Sequence, residues 1–333
     1  MELALANYRL LFIHPFGTAH GVRDGTDSVF VRLSHAGEVG YGEATLPPYL
    51  DFSQATVHEE LVVFWLKHGD RITERSIPAT DLDTLSPPAR AAFIAAYRSL
   101  LYNLIGVQYE SELPHHLGPH RRASAMVTLG HSDVDGILMK INELPDSPVL
   151  KVKVGARNDV EVLQELMRVD QRPLFLDANQ GWVDPVEAEA VIAMVGPERL
   201  VGIEQPFPKD RWDLHKALKD RTNVTIYGDE SIQAFEDIER APEAFGGVNL
   251  KLMKCGGLDS AERMAARARA LGLRVMLGSM SESSLGCATM FALSGSADLL
   301  DLDGPWLIWN DPFQGLELDR AGMRVTGSTG FGV

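Results

Sequence analysis

Five short apolar runs between residues 148 and 251 each end on an ionisable residue, and the spacing of those residues admits few folds. Lys153 closes Pro148-Val-Leu-Lys-Val-Lys, Asp177 closes Pro173-Leu-Phe-Leu-Asp, Glu204 closes Leu200-Val-Gly-Ile-Glu, Asp229 closes Thr225-Ile-Tyr-Gly-Asp and Lys251 closes Val248-Asn-Leu-Lys. Neighbouring members lie 24, 27, 25 and 22 residues apart, which is one strand, one helix and two loops per step. Chains that repeat strand and helix at this length build parallel sheets, and a sheet closed into a barrel brings its strand C-termini to one rim. Three carboxylates flanked by two lysines then converge. Crowded carboxylates repel unless a cation sits among them, and oxygen-only ligands suit a hard ion such as Mg²⁺.

The repeat has readable limits. It starts near Ala123, where Ser124-Ala-Met-Val-Thr-Leu is the first apolar run, passes through a seventh run at Leu273-Arg-Val-Met-Leu-Gly and ends on an eighth at Leu299-Leu-Asp-Leu-Asp. Gly304-Pro305 and Asp311-Pro312 break the chain after that run, so no eighth helix is expected. Asn158 with Glu161, Asp184 with Pro185 and Glu187, and Asp259 with Glu262 read as N-terminal helix caps, while Gly196 and Gly272 read as stops. Before the repeat, Tyr8–Ile13 and Ser28–Leu33 alternate in the strand manner, and helical periodicity covers about 54 to 68 and 87 to 104. The Gly-rich segment from Pro15 to Thr26 fits no regular element and is expected to be a mobile loop, with a second loop at Leu46–Ser53. The expected layout is an N-terminal α+β capping domain over 1–118, a barrel of seven βα units and a final strand over 119–309, and a segment over 310–333 returning to the capping domain.

A net charge of -15 and a pI near 5.1 disfavour nucleic acid and anionic membranes as partners. Two cysteines, Cys255 and Cys287, are too few for a disulfide framework or a thiolate metal site. The first residues lack the basic and apolar regions of a secretion signal, and no run of about 18 apolar residues occurs. The expectation is a cytoplasmic protein acting on a small molecule, with a homo-oligomer left open.

Each candidate residue has an ordinary reading. A lone acid after a strand is usually a helix cap, but Asp177, Glu204 and Asp229 are phased one per unit on three successive units. Strand lysines normally keep their heads in water. Lys151 and Lys153, however, lie two apart and so share one face of a strand, where repulsion and a nearby cation would lower the Lys153 pKa toward that of a general base. Lys251 stands four strands further on, across the barrel; Lys254 is assigned to the loop. Two amines on opposite sides of a metal-bound substrate suit removal of a proton beside a carboxylate and its return to the other face, with the metal stabilising an enediolate. Asp301 and Asp303 face the same way and could pair with a substrate ammonium, or be solvated acids in an acidic chain.

Lys151-Val-Lys153, Asp177-Ala-Asn179-Gln-Gly-Trp182, Ile203-Glu204-Gln-Pro, Gly228-Asp229-Glu-Ser, Asn249-Leu-Lys251-Leu-Met-Lys-Cys-Gly-Gly and Asp301-Leu-Asp303-Gly-Pro together resemble the enolase superfamily, muconate-lactonizing branch, and within it the dipeptide epimerases of the L-Ala-D/L-Glu type. The resemblance spans the chain. It implies a (β/α)7β TIM-like barrel with a capping domain and one Mg²⁺ per subunit on Asp177, Glu204 and Asp229. It makes Lys153 and Lys251 the acid/base pair, with Lys151 tuning Lys153, and lets Asp301 and Asp303 hold the dipeptide ammonium. We place Thr128 and Arg23 among the substrate-binding residues and Asn179 in support of the metal ligands. The mandelate racemase branch is disfavoured, because the seventh strand ends in Gly278-Ser279 and no histidine follows His215. The arginine that the resemblance sets against a glutamyl side chain falls on Gly21; Arg23 stands nearby, with Asp24 and His20 as polar neighbours, so the second residue of the dipeptide stays open. The alternatives are a muconate cycloisomerase or o-succinylbenzoate synthase, and a non-catalytic ligand-binding barrel.

Overall fold

The computed structural model describes residues 1–18, 21–77, 79–110 and 123–333. Strands β1 (Glu2–Thr18), β2 (Gly21–His35) and β3 (Glu38–Leu46) form an antiparallel sheet in that order. The segment expected to be a mobile loop is instead mostly strand. Phe16 pairs with Arg23 and Gly17 with Val22, after a register shift that bulges β1 between Leu11 and Phe16. Main-chain hydrogen bonds need no period-two side-chain pattern, so a Gly-rich hairpin pairs without announcing itself. His20 lies outside the described residues.

Two helices cover this sheet. Gln54–His68 starts on a reciprocal cap, in which the Ser53 side chain accepts from the Thr56 N–H and the Thr56 hydroxyl accepts from the Ser53 N–H. Pro87–Ile105 begins with proline at its first turn and stops at Gly106, whose φ is 70°. Its alanine face lies so close to β3 that a Cβ on Gly42 would sit 2.0 Å from the Ala92 carbonyl oxygen. Small residues on both sides are what let backbone approach backbone.

The remaining strands are β4 (Ser124–Leu129), β5 (Val149–Lys153), β6 (Leu174–Asp177), β7 (Leu200–Glu204), β8 (Ile226–Gly228), β9 (Gly247–Lys251), β10 (Arg274–Gly278) and β11 (Leu299–Asp301). They close a parallel barrel in the order β10-β11-β4-β5-β6-β7-β8-β9, the (β/α)7β architecture. Met126, Val149, Phe175, Tyr227, Met276 and Leu299 fill its interior as a buried cluster of their own. The Phe175 and Tyr227 rings meet at 5.4 Å, and each such burial contributes roughly 1.5–3 kcal/mol. Gly202 and Gly247 make room for those rings: a Cβ on Gly247 would lie 2.4 Å from the Tyr227 ring.

Two of the three expected caps differ. Asp184 accepts from the Val186 N–H as anticipated, whereas Asn158 makes no side-chain cap and bonds the Ser132 carbonyl. Asp259 turns away to pair with Arg90 of the Pro87–Ile105 helix at 2.8 Å, because a half-buried guanidinium outcompetes a helix end for a carboxylate. After β11 there is a single helical turn, Gly304–Leu307. The chain then forms a hairpin of β12 (Leu316–Asp319) and β13 (Gly322–Val325). Asn310 bonds Tyr8, Arg9 and Leu11, and Phe331 packs on Tyr109. Among the described residues no helix is long and apolar enough to cross a membrane.

Candidate active site

Side chains alternate along a strand, so the residue two places beyond each interior apolar residue points into the same barrel one layer higher. Met126 leads to Thr128, Val149 to Lys151, Phe175 to Asp177, Gly202 to Glu204, Tyr227 to Asp229 and Leu299 to Asp301. Another step on β5 and β9 reaches Lys153 and Lys251. Strand register sets Lys153 beside Asp177 and Asp177 beside Glu204. Four steps round an eight-stranded ring separate β5 from β9, so Lys153 and Lys251 face each other across a cavity of about 380 Å³. Asn179, Glu230, Asp301, Asp303, Thr128 and Arg23 also line it.

The carboxylates are held by ammonium groups. Lys151 Nζ bonds Glu204 and Asp301 at 2.6 Å each and lies 2.9 Å from Asp177 Oδ2. Lys153 donates to that same Asp177 oxygen at 2.6 Å, so the two β5 lysines converge on one atom. Lys251 and Lys254 bond the two oxygens of Asp229 at 2.7 and 2.5 Å. Burial alone would lower the Lys151 and Lys251 pKa values, yet Asp177, Asp301 and Glu204 around the first and Asp229 beside the second hold both well above the ordinary lysine value. The lysines conversely keep Asp177 and Asp229 well below the usual carboxylate range despite burial. Glu204 is different: burial, with Asp177 and Asp229 nearby, pushes it up to about 8. Burial and Asp229 likewise raise Glu230 to about 7.

Whether this site suits a hard cation can be judged from its donors. Asp177, Glu204 and Asp229 offer oxygens from three adjacent strands, and Asn179 Oδ1 and Glu230 Oε2 beside them are buried without a hydrogen-bond partner among the described residues. Excess negative charge and orphaned oxygens fit a divalent ion. As the side chains stand, with lysines bridging the acids, no three His, Cys, Asp or Glu among the described residues are grouped tightly enough to enclose one.

At the opposite wall Asp303 accepts from the Thr128 N–H at 2.5 Å and Asp301 from the Thr128 hydroxyl at 3.5 Å. Burial next to Asp301 raises Asp303 to about 6. Thr128 thus fixes the acidic pair. Asn179 donates its N–H to Asp177. From the cap, Arg23 lies 5.5 Å from the Phe12 ring and 6.0 Å from that of Tyr49. It bonds Thr26, and the described residues give it no carboxylate. Burial lowers its pKa.

Sequence reasoning missed several of these groups. Lys254, assigned to a loop, is buried and grips the Asp229 side chain, the Asp229 carbonyl and the Asn249 carbonyl. Asn249 donates to Glu204 at 2.6 Å, and its position two before Lys251 was the available signal. Tyr49 and Phe16 enter from the cap, where nothing in the linear pattern points at the barrel mouth.

Residues 147–333 match the model of the enolase C-terminal domain-like family. The chain is 33% identical to L-Ala-D/L-Glu epimerase of Bacteroides thetaiotaomicron, over all of this chain and 88% of that protein. It is 30% identical to L-Ala-D/L-amino acid epimerase of Flavobacterium johnsoniae, over all of this chain and 99% of that protein. The dipeptide epimerase of Methylococcus capsulatus, solved with Mg and L-Arg-D-Lys, superposes with a TM-score of 0.84 at 28% identity, over 99% of this chain and 98% of that one.

Proposed function

The chain belongs to the enolase superfamily, among isomerases of its epimerase type, and from that premise we propose that it is a Mg²⁺-dependent dipeptide epimerase. Its reaction is a 1,1-proton transfer at the α-carbon of the C-terminal residue. The observation that carries this reading is the pair of amines, Lys153 and Lys251, on strands half a barrel apart with acidic groups between them.

Asp177, Glu204 and Asp229 would hold the ion, which when bound supplies positive charge for the substrate carboxylate and the enediolate. Lys153 takes or returns the α-proton on one face, and Lys251 does so on the other. Lys151, anchored on Asp177, Glu204 and Asp301, keeps a fixed positive charge beside Lys153. Asp301 and Asp303, set by Thr128, receive the α-ammonium, and Asn179 steadies Asp177. Arg23, desolvated and without a carboxylate partner among the described residues, is placed to meet an acidic group of the substrate's second side chain. The Asp301 and Asp303 pair, which suits a substrate ammonium, favours a dipeptide over a cycloisomerase substrate, for which one lysine would act as base and the other only stabilise charge.

The test is a dipeptide library incubated with enzyme and Mg²⁺, followed by chiral analysis of the C-terminal residue. The expected result is conversion of L,L substrates to L,D products, strongest with acidic second residues. Conversion of no dipeptide, with turnover of a cycloisomerase substrate instead, would contradict it.

A further inference from the structure

A second, smaller cavity adjoins the first, sharing Phe16, Thr128 and Leu307 with it. Its other apolar walls are the exposed Ile13 and Pro15 from the bulge of β1, Leu129 at the end of β4, Leu144 and Trp306. The polar residues of its lining, His14, Lys140 and Glu143, are only partly covered, and His14 meets Glu143 at 2.5 Å, tying the cap hairpin to the barrel. The volume is about 60 Å³. That is several times the roughly 10–15 Å³ that a single water-sized position needs, so a short side chain fits.

Its position decides what enters. Thr128 belongs to both cavities, and the N–H and hydroxyl of that one residue hold Asp303 and Asp301. A dipeptide ammonium on those acids therefore sits at the junction. The carbon that bears the ammonium also bears the first side chain, which is delivered beside Thr128. An apolar recess of fixed size at that point selects for fit and for desolvation.

Resting on the epimerase reading above, we propose that this recess is the pocket for the side chain of the N-terminal residue, and that the preferred substrates carry there an aliphatic side chain of about four heavy atoms, as in leucine, isoleucine or methionine. Charged side chains are disfavoured by the desolvation that the apolar walls impose, with Glu143 already engaged by His14 and Lys140 the one lysine in the lining. Alanine leaves most of the recess unfilled. Each buried methylene is worth about fourfold in binding, so a leucyl substrate should exceed its alanyl counterpart at least tenfold in kcat/KM.

The experiment compares L-Ala-, L-Leu-, L-Met-, L-Asp- and L-Lys-dipeptides that share one C-terminal residue, with panels built on Glu and on Leu, using wild type and Leu144→Trp in the presence of Mg²⁺. The expected wild-type order is Leu and Met above Ala, and Ala above Asp and Lys. In Leu144→Trp, which fills the recess, the Leu/Ala ratio should fall toward one. Epimerisation with Ala preferred or equal to Leu would overturn this inference while leaving the function standing, as would a Leu preference unmoved by Leu144→Trp. Epimerisation of no dipeptide in either panel would overturn the function and this inference with it.

Discussion

At the scale of single residues, the barrel interior works as layers, apolar below and ionisable above, and the upper layer was visible in the sequence for Asp177, Glu204 and Asp229, each of which closes an apolar run. Residues reaching the cavity from turns or from the cap, such as Tyr49 and Glu230, carry no such phase and were not legible. The same logic of burial makes a prediction away from the cavity. His215 is fully buried among Phe207, Phe245 and Gln205, and burial lowers its pKa from 6.5 to about 4. The unfolded chain then binds the proton first, so the contribution of neutral His215 is complete above about pH 6.5 and is lost as pH falls toward 4. Wild type should lose up to about 3 kcal/mol of stability across that window from this group alone. Urea unfolding at pH 7 and pH 5 reads it, and an equal slope in His215→Asn would count against this assignment.

At the scale of elements, the strand-and-helix repeat was legible because parallel strands buried on both faces are short apolar runs with helical segments between. Less legible were elements held by main-chain pairing alone. The Phe16–Gly17 and Val22–Arg23 hairpin and the β12–β13 hairpin owe their pairing to backbone rather than to pattern. The caps misjudged at Asn158 and Asp259 failed for a related reason: tertiary partners, the Ser132 carbonyl and Arg90, won the side chains. The packing of β8 against β9 gives a direct test. Gly247→Ala would place a Cβ 2.4 Å from the Tyr227 ring, and overpacking of this kind costs about 1–3 kcal/mol. Urea denaturation should show a lower midpoint with an unchanged slope; an unchanged midpoint would mean that the ring has freedom the close packing denies.

At the scale of the whole molecule, the cap is fixed to the barrel by a buried carboxylate. Glu43 of β3 accepts from Ser28 and Thr45 on the cap, and from the Ser283 N–H and hydroxyl and the Gly286 N–H at the start of helix Ser284–Phe291 on the barrel. A helix N-terminus favours such an anion, and the join seats Phe16, Arg23 and Tyr49 over the barrel mouth. Nothing in the sequence around Glu43 marks that contact, since its partners lie some 240 residues away. Inversion requires two amines acting from opposite faces of one carbon. The most direct measurement is α-proton exchange in heavy water with Mg²⁺ and a turned-over dipeptide, for wild type, Lys153→Ala and Lys251→Ala, with folding checked by circular dichroism. Wild type should gain one solvent deuterium at the α-carbon per inversion, and each variant should lose inversion by about 10²–10⁴-fold. Inversion at near wild-type rate in either variant would contradict the account.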